Sequence, residues 1–174
     1  MRTDWGVWLS DPRVVARYEA LCAPAAGHVW WTGAIMRSGH GRFWVGSTVD
    51  GRDVVVAAHR FGYGVAHGAG ALESGRLVMH ECDEPLCQDP RHLVVGTAAD
   101  NRWAWMIRRH DLGSPLRDAR GRYTRALVIR DTVRSGGDVA AVIAAGYPVA
   151  DWDHPVLPGF DIVSPYATPR RGRV

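Results

Sequence analysis

The segment VMHECDEPLCQDPRHLVVGTAADNRW, which runs from Val78 to Trp103, concentrates side chains that bind metal ions. It holds two of the three cysteines, two of the eight histidines and the only asparagine of the 174-residue chain. These metal-binding and carboxamide side chains follow the pattern His80-x-Cys82-x4-Cys87-x4-His92-x8-Asn101. We call Val78–Trp103 the His/Cys segment, and its residues carry most of the information on fold and chemistry.

Regular structure is predicted on both sides of a polar loop in this segment. GRLVMH has the apolar character of a strand that ends at His80, and LVVG indicates a second short strand. TAADNRWAWMIRRH predicts a helix to about His110, because Thr97 stands at an N-cap position and Asp100 follows three residues later. The order strand, loop, strand, helix places Asn101 in the first turn of that helix.

The polar loop between the two strands predicts a structural zinc site. Zinc favours four nitrogen or sulfur ligands in a tetrahedron. Cys82, Cys87 and His92 supply three, and Cys22, the remaining cysteine, completes a Cys3His set. The alternative, that the loop cysteines are small buried apolar residues, is disfavoured because their neighbours are acidic or polar. A closed set of four ligands would stabilise a loop that has no hydrophobic core of its own.

Upstream of the His/Cys segment, the pattern predicts an α+β fold with an antiparallel sheet. SDPRVVARYEALC is typical of a short helix over Pro12–Leu21, which delivers Cys22 at its end. Valine, tryptophan and phenylalanine, punctuated by glycine-containing turns, then indicate β structure. Three antiparallel strands are predicted, near residues 28–34, 41–47 and 53–58. A short helix closed by Gly68 follows.

Residues 111–174 are predicted to form a helical C-terminal extension after a first unit that spans residues 1–110. Two short helices joined by Ser-Gly-Gly are predicted within Thr124–Gly146, followed by a proline-rich tail from Tyr147. The helices are either a small helix-turn-helix that binds DNA or an ordinary helical hairpin. A hairpin would pack on the core or on a second subunit.

The basic residues are all arginine, 21 in number, and they are unevenly distributed. Residues 102–134 hold nine arginines against three aspartates, a net charge of +6 in a chain whose net charge is +3. These two features have simple alternative explanations. A GC-rich coding sequence would account for the absence of lysine, and an ordinary solvated helix face would account for the arginine cluster. A polyanionic partner explains both, because arginine binds phosphate well, and the cluster favours nucleic acid as that partner.

The sequence also bears on location. No apolar run approaches the roughly 20 residues that a membrane-spanning helix needs, and the N-terminal residues lack the apolar stretch of a signal peptide. Three cysteines, an odd number, argue against a disulfide framework. We therefore expect an intracellular protein: cytoplasmic or, if phage-borne, in the host cytoplasm or nucleoid.

The His/Cys segment resembles the His-Cys box homing endonucleases, which belong to the His-Me finger, or HNH-like, nuclease superfamily. HECDEPLCQDPRHL, followed by Asp-Asn, is also similar to HNH endonucleases carried by bacteriophages. The resemblance covers roughly residues 22–110 and includes the register from His80 to Asn101. It implies a zinc-stabilised ββα-metal core over about residues 77–110 and a Mg²⁺-dependent, site-specific DNA endonuclease.

Phosphodiester hydrolysis needs a base for water, a metal ion and a donor to the phosphate. The resemblance implies that His80 is the general base, that Asn101 ligates the catalytic Mg²⁺ and that Arg42 contacts the scissile phosphate. The alternatives are structural: His80 is a strand-end histidine bonded to the backbone, and Asn101 helps to cap its helix. Among the other histidines, we expect His59 to support the core beside the site and assign no role to His28.

Double-stranded DNA is the expected substrate, and the resemblance implies that the upstream sheet enters a major groove. Five arginines are candidate DNA contacts, and His40 is a further candidate for reading bases. Arg37 and Arg52 lie in the predicted sheet region and would face bases. Three more lie on or beside the helix that contains Asn101 and would contact phosphates: Arg102, Arg108 and Arg109. We expect Trp103 and Trp105 to pack in the core.

Two further expectations concern assembly and competing functions. The resemblance implies a homodimer in which the C-terminal tail reaches across a two-fold axis, a suitable form for cutting both strands of a pseudo-palindromic site. The first competing interpretation is a zinc-stabilised DNA-binding module without catalysis. The second is a zinc module for protein interaction, which the +6 stretch disfavours.

Overall fold

The computed structural model describes residues 4–72 and 76–147. Within these ranges the protein is α+β, as predicted, with six α-helices and seven short strands arranged in three antiparallel sheets. The predicted proline-rich tail, from residue 148 onward, lies outside the described residues.

Two short helices, α1 (Trp5–Ser10) and α2 (Pro12–Glu19), begin the described chain. Asp11 caps α2 by accepting a hydrogen bond from the Arg13 N–H at 2.8 Å, and proline occupies the first helical position, as predicted. The helix ends at Glu19, slightly earlier than predicted. Cys22 therefore begins a strand instead of ending a helix.

A tight hairpin follows, made of β1 (Cys22–Ala25) and β2 (His28–Trp31). Ala26 and Gly27 connect the strands with φ values of 48° and 78°, both in the left-handed region. Turns with two such residues match the twist of the paired strands, which explains the glycine at the second position. This hairpin is a separate two-stranded sheet.

The predicted strand over residues 28–34 is wrong in its extent, because the chain bends after Trp31. The Trp31 indole N–H donates to the Ala34 carbonyl at 2.9 Å. The backbone from Trp31 to Ala34 therefore curves around the Trp31 side chain. A Cβ on Gly33 would lie 2.6 Å from the indole, and only glycine allows this close approach. The bend lets the chain leave the first hairpin and enter a second sheet.

The second sheet contains β3 (Ala34–Ile35), β4 (Gly41–Ser47) and β5 (Asp53–Ala57) in that order. Helix α3 (Ala58–His67) follows β5 directly and ends at Gly68, whose φ of 84° suits the predicted helix stop. The strands predicted near 41–47 and 53–58 are confirmed. Aromatic side chains from α2, β2, β4 and α3 form the centre of the core: Tyr18, Trp31, Phe43 and Phe61.

The His/Cys segment forms the third sheet and the next helix. Strands β6 (Leu77–His80) and β7 (Leu93–Gly96) pair antiparallel across the loop 81–92, and helix α4 (Ala98–Arg108) follows. The predicted capping box is confirmed, since the side chain of Thr97 accepts from the Asp100 N–H. The order strand, loop, strand, helix is therefore the one that the sequence predicts.

The loop 81–92 lies along β2 and pairs with it. The Gln88 N–H donates to the Val29 carbonyl at 2.6 Å, and the Trp31 N–H donates to the Leu86 carbonyl at 3.1 Å. These bonds flank an isolated β-bridge between Trp30 and Cys87, which attaches the middle of the loop to the first hairpin. They also bring the start of β2 next to the cysteines of the loop.

The predicted C-terminal helices are α5 (Gly121–Ser135) and α6 (Val139–Ala144), separated by Gly136 in the left-handed conformation at φ 69°. Ala126 and Ile129 of α5 are buried in the same hydrophobic cluster as the aromatic core. The two predicted helices are thus present within the described residues, and the first of them packs on the core.

A buried ion-pair network joins α5 to the loop 81–92. The Arg125 guanidinium is 1% exposed and contacts the carboxylates of Glu84 in the loop and Asp118, which precedes α5. Its Nη1 lies 2.7 Å from Asp118 Oδ2. Two carboxylates around one guanidinium satisfy its donor fork, and Arg120, whose Nη2 lies 2.7 Å from Asp118 Oδ2, supplies the second positive charge that balances them.

Candidate metal centre and adjoining cleft

Four side chains of the first hairpin and the loop 81–92 form a compact cluster. One potential ligand atom from each lies within 4.8 Å of the others: His28, Cys82, Cys87 and His92. Cys87 Sγ lies 3.5 Å from His92 Nδ1. Two cysteines and two histidines are a donor set that suits tetrahedral zinc, so this cluster could hold a metal ion such as zinc. We call it the Cys2His2 cluster.

The structure corrects the predicted Cys3His set, because it does not bring Cys22 to this cluster. Cys22 pairs with Trp31, whereas His28 pairs with Ala25 at the turn of the hairpin. Three residues along a strand span about 10 Å, so Cys22 and His28 stand at opposite ends of the hairpin. The Cys22 thiol instead lies 3.4 Å from the Tyr18 carbonyl, and burial raises its pKa to about 11.

Electrostatics favour a thiolate in the Cys2His2 cluster. The hydrogen bond from the Cys82 thiol lowers the pKa of Cys87 to about 3, and His28 contributes in the same direction. The Asp89 N–H also points to Cys87 Sγ at 3.4 Å. The thiolate is the form of cysteine that binds metals, so Cys87 is prepared for coordination.

A buried nitrogen provides an independent test of the fit. Nδ1 of His28 is buried and has no hydrogen-bond partner among the described residues. An unsatisfied buried nitrogen is costly unless something else binds there. Together with the Cys87 thiolate, this atom indicates that the residues present fit a zinc ion. Local spacing gave no signal for His28, because its place in the cluster depends on the pairing of β2 with the loop.

A cleft of about 620 Å³ opens beside the Cys2His2 cluster. His80 and Asn101, the two central residues of the predicted site, both line it. Asn101 is exposed in the first turn of α4, where Thr97 and Asp100 already form the cap. The side chain of Asn101 is therefore not needed as the cap and faces the cleft instead.

His80 is held in one tautomer by the backbone of the metal cluster. Its Nε2 lies 3.0 Å from the Cys87 carbonyl oxygen, and the side chain is 8% exposed. A carbonyl oxygen only accepts hydrogen bonds, so Nε2 carries the proton and Nδ1 keeps its lone pair. Burial lowers the pKa of His80, which favours the neutral ring. The hydrogen bond between His80 and the backbone, which the structural alternative predicted, thus exists. It leaves Nδ1 able to accept a proton, so it is compatible with a role of His80 as general base.

The structure does not bring Arg42 to this cleft. Side chains of β4 alternate, and Gly41 and Phe43 face the interior while Arg42 is on the exposed face. There Arg42 lines a separate shallow depression with Trp44 and Asp53. Contact between Arg42 and a phosphate held at His80 is therefore not supported by the geometry.

Two arginines that line the cleft are engaged in structural contacts. Arg108 lies 2.7 Å from Asp83 and donates to the His80 carbonyl at 3.1 Å, which fastens α4 to the end of β6. Arg125 belongs to the buried network with Glu84. Arg108 thus anchors α4 within the fold, and its predicted phosphate contact stays a prediction.

Arg102 and Arg122 are the exposed cations that line the cleft. Arg102 was predicted as a phosphate contact, whereas Arg122 was missed because it lies outside the His/Cys segment. Its only signal in the sequence is its place in the +6 stretch of residues 102–134. The start of α5 brings it to the rim.

The other candidate arginines lie elsewhere on the surface. Arg37 is exposed in the turn before β4, and Arg52 pairs with Asp50 at the β4–β5 turn. Arg109 stacks over the Trp105 ring at 4.7 Å. The structure describes their positions, and their contacts with DNA stay predictions.

The expectation that the tryptophans of α4 pack in the core is wrong. Trp103 is 59% exposed and Trp105 is 46% exposed. The reason lies in the partners of α4, since two four-residue strands offer little apolar surface for a helix to cover. The helix is instead fastened by Arg108, and both indoles remain at the surface.

Comparison with known proteins finds two partial relatives. Protein 7.7 of Escherichia phage T7 is 38% identical over 71 residues, which are 41% of this chain and 48% of that protein. Protein 2.8 of the same phage is 35% identical over 83 residues, 48% of this chain and 52% of that protein. The matches span about half the length of these relatives.

No family model and no solved structure matches the chain. In residues 4–72 and 76–147, no helix is long and apolar enough to cross a membrane. The chain is therefore similar to phage proteins over about half its length and carries a cluster that could hold a metal ion.

Proposed function

We propose that this protein is a Mg²⁺-dependent DNA endonuclease of the His-Me finger type. Strands β6 and β7 with helix α4 form its ββα-metal core, and the Cys2His2 cluster holds one structural zinc ion. The observation that carries the proposal is the meeting of His80 and Asn101 in one cleft. His80 presents an unprotonated Nδ1 in this arrangement, because the Cys87 carbonyl holds Nε2.

The proposed reaction uses side chains that the cleft already contains. Nδ1 of His80 takes a proton from a water whose oxygen attacks the phosphorus atom. The bond between phosphorus and the leaving sugar oxygen breaks, and that oxygen takes a proton from solvent. Asn101 offers a carboxamide oxygen, a ligand that suits Mg²⁺, and the ion would stabilise charge that develops on the phosphate. Arg102 and Arg122, both exposed at the cleft, bind the flanking phosphates by charge-assisted hydrogen bonds.

The zinc site and the base are coupled through one residue. Cys87 supplies a thiolate to the Cys2His2 cluster and its backbone carbonyl to His80. Ligation of its side chain holds this carbonyl in place, and the carbonyl in turn selects the His80 tautomer. Loss of zinc is thus expected to misplace the general base even where the remaining core stays folded.

Double-stranded DNA is the proposed substrate, and the similarity to two phage proteins supports a role in an infected cell. The protein would then act in the host cytoplasm or nucleoid. A site-specific homing enzyme that cuts as a homodimer is the form of the proposal that follows the His-Cys box resemblance. Exposed arginines at the cleft support attraction to the DNA backbone.

The experiment is a cleavage assay on genomic DNA of the phage and its host, with Mg²⁺ or with EDTA. Wild type is compared with His80→Ala, Asn101→Ala and the control His110→Ala, which changes an exposed histidine just beyond α4. We expect Mg²⁺-dependent cutting by wild type and His110→Ala, and at least a 100-fold loss in the two site variants.

Retained cutting by His80→Ala would refute the assignment of the base. DNA binding by wild type without any cutting, on both genomes, would favour the non-catalytic zinc module instead. The exposed arginines of the cleft are the observation that keeps this second candidate open. Zinc content is measured in every variant, so that loss of activity can be separated from loss of the Cys2His2 cluster.

A further inference from the structure

Two more histidines lie beside His80: His40, which also lines the cleft, and the buried His59. His40 precedes β4, His59 lies in the first turn of α3, and His80 ends β6. Their ring centroids are 4.9 Å apart for His40 and His59, 4.7 Å for His59 and His80, and 5.6 Å for His40 and His80. We call these three residues the histidine trio.

Each ring of the trio has a nitrogen that can accept a ligand. Nδ1 of His80 is open because the Cys87 carbonyl holds Nε2. Nδ1 of His40 lies 3.0 Å from Ser38 Oγ, and a bond donated to this hydroxyl leaves Nε2 with its lone pair. A bond from the far nitrogen to a fixed partner is the usual support of a metal-binding histidine.

His59 supplies the observation that points to a ligand. The residue is 6% exposed, and its Nδ1 is buried without a hydrogen-bond partner among the described residues. Buried polar nitrogens are nearly always satisfied, so a polar atom left over inside the fold calls for a binding partner. The adjacent groups that could share such a partner are the rings of His40 and His80.

We propose that the histidine trio binds a second divalent transition-metal ion, of the zinc class, separate from the Cys2His2 cluster. Three imidazoles suit zinc, cobalt or nickel, whereas Mg²⁺ favours oxygen ligands. One nitrogen from each residue lies within 4.8 Å of the others. Tetrahedral zinc needs a separation of about 3.4 Å, which small side-chain rotations would provide.

The fourth coordination position of this ion faces the cleft. His40 and His80 both line the cleft of about 620 Å³, whereas His59 lies beneath them. Three protein ligands with an open position are the arrangement of reactive zinc sites, in contrast to the closed set of four in structural sites. The two clusters thus differ in donor type and in access, and both differences can be measured.

The test is the metal content of full-length protein after equilibrium dialysis against micromolar Zn²⁺ in a reducing buffer. We expect two zinc ions per chain in wild type and one in His40→Gln and in His59→Gln. The matched control is His67→Gln, because His67 is an exposed histidine at the other end of α3. That variant is expected to retain both ions.

Cobalt identifies which site each ion occupies. Cobalt bound by thiolates shows a sulfur-to-metal charge-transfer band, and cobalt bound by three imidazoles does not. Wild type should therefore bind one Co²⁺ with the band and one without it, and His40→Gln should lose only the second. Circular dichroism checks that the half-buried His40 and the buried His59 can be replaced without unfolding.

One metal ion per chain in wild type, carrying the thiolate band, would overturn the proposal. Two ions in both folded trio variants would overturn it as well, because the second ion would then sit elsewhere. Loss of the second ion in His67→Gln would also contradict the assignment. None of these readouts involves DNA cleavage, so a failure of this inference is distinguishable from a failure of the nuclease proposal. The two proposals share one atom, because Nδ1 of His80 binds either this ion or a proton. Two ions per chain in wild type would therefore assign the activation of water to the ion, in place of His80 as the base.

Discussion

The loop 81–92 and helix α4 are neighbours in the chain, yet they are held in opposite ways. The loop is irregular, but five of its residues are almost fully buried: Glu84, Leu86, Cys87, Gln88 and Asp89. Helix α4 is regular, and none of its residues is buried. The comparison shows that, in this part of the chain, burial follows the specific cross-links and not the regularity of the backbone.

Three kinds of cross-link hold the loop: backbone pairing with β2, the Cys2His2 cluster, and the ion pairs of Arg125. Helix α4 depends chiefly on its capping box and on the single anchor of Arg108. Loss of one loop contact should therefore unfold more of the molecule than loss of one helix contact.

The largest effect is expected from Cys87→Ser, which removes a metal ligand at the centre of the loop. Structural zinc contributes about 10 kcal/mol or more to small zinc domains, so this variant should lose its metal and its cooperative unfolding transition. Zinc content and thermal unfolding with and without a chelator are the measurements. Cys22→Ser is the matched control, since its thiol lies outside the cluster, and it should keep one zinc in that cluster. Loss of that zinc in Cys22→Ser would show that Cys22 is a ligand and that the predicted Cys3His set is correct.

The next effect concerns the link between the loop and α5. Arg125→Met leaves the buried carboxylates of Glu84 and Asp118 without their common partner, and should lower the free energy of unfolding by about 3–5 kcal/mol. Urea unfolding measures this change. Arg130→Met is the control, because Arg130 pairs with the exposed Asp131 and should cost less than about 1 kcal/mol. Equal effects of the two changes would refute the link.

A smaller effect is expected at the anchor of α4. Arg108→Ala removes the bonds to Asp83 and to the His80 carbonyl, and should cost about 2 kcal/mol. Hydrogen exchange should become faster in α4, while protection in the loop 81–92 stays unchanged. Arg109→Ala, at an exposed neighbouring position, should stay within about 0.5 kcal/mol of wild type. Faster exchange throughout the molecule would show that α4 is not an independent unit.

The smallest effect is expected at the outer face of α4. Trp103→Gln should change the free energy of unfolding by less than about 0.5 kcal/mol, because the side chain is 59% exposed. Removal of a buried tryptophan costs about 3–5 kcal/mol, so urea unfolding separates the two cases clearly. A loss of that size after the Trp103 substitution would show that this side chain packs in the core, as the sequence predicted.

Local features of the fold could be predicted from the sequence with good accuracy. The Thr97 cap, the strand that ends at His80 and the glycine stop at Gly68 all depend on residues within one or two turns of chain. The strand break after Trp31 could not be predicted, because it results from packing of the indole against the following backbone. Exposure of the α4 tryptophans likewise depends on how little surface the hairpin offers.

The residues of the candidate site also fall into two groups, those that local sequence predicts and those that only tertiary packing brings together. Cys82, Cys87 and His92 lie in one loop, and their spacing alone brought three of the four cluster members together. His28 and Arg122 lie far away in the chain, and only pairing and packing bring them to the site. Arg42 illustrates the converse, since the alternation of β4 turns its side chain away from the cleft.

The sequence by itself determined the α+β class, the strand–loop–strand–helix order and the residues with metal-binding chemistry. These properties depend on short-range periodicity, capping and donor type, which are visible in any stretch of a few residues. The tertiary structure decided that His28 replaces Cys22 and that His40, His59 and His80 converge. Such contacts join elements distant in the chain, and their geometry is set by strand pairing and core packing, which local sequence does not encode.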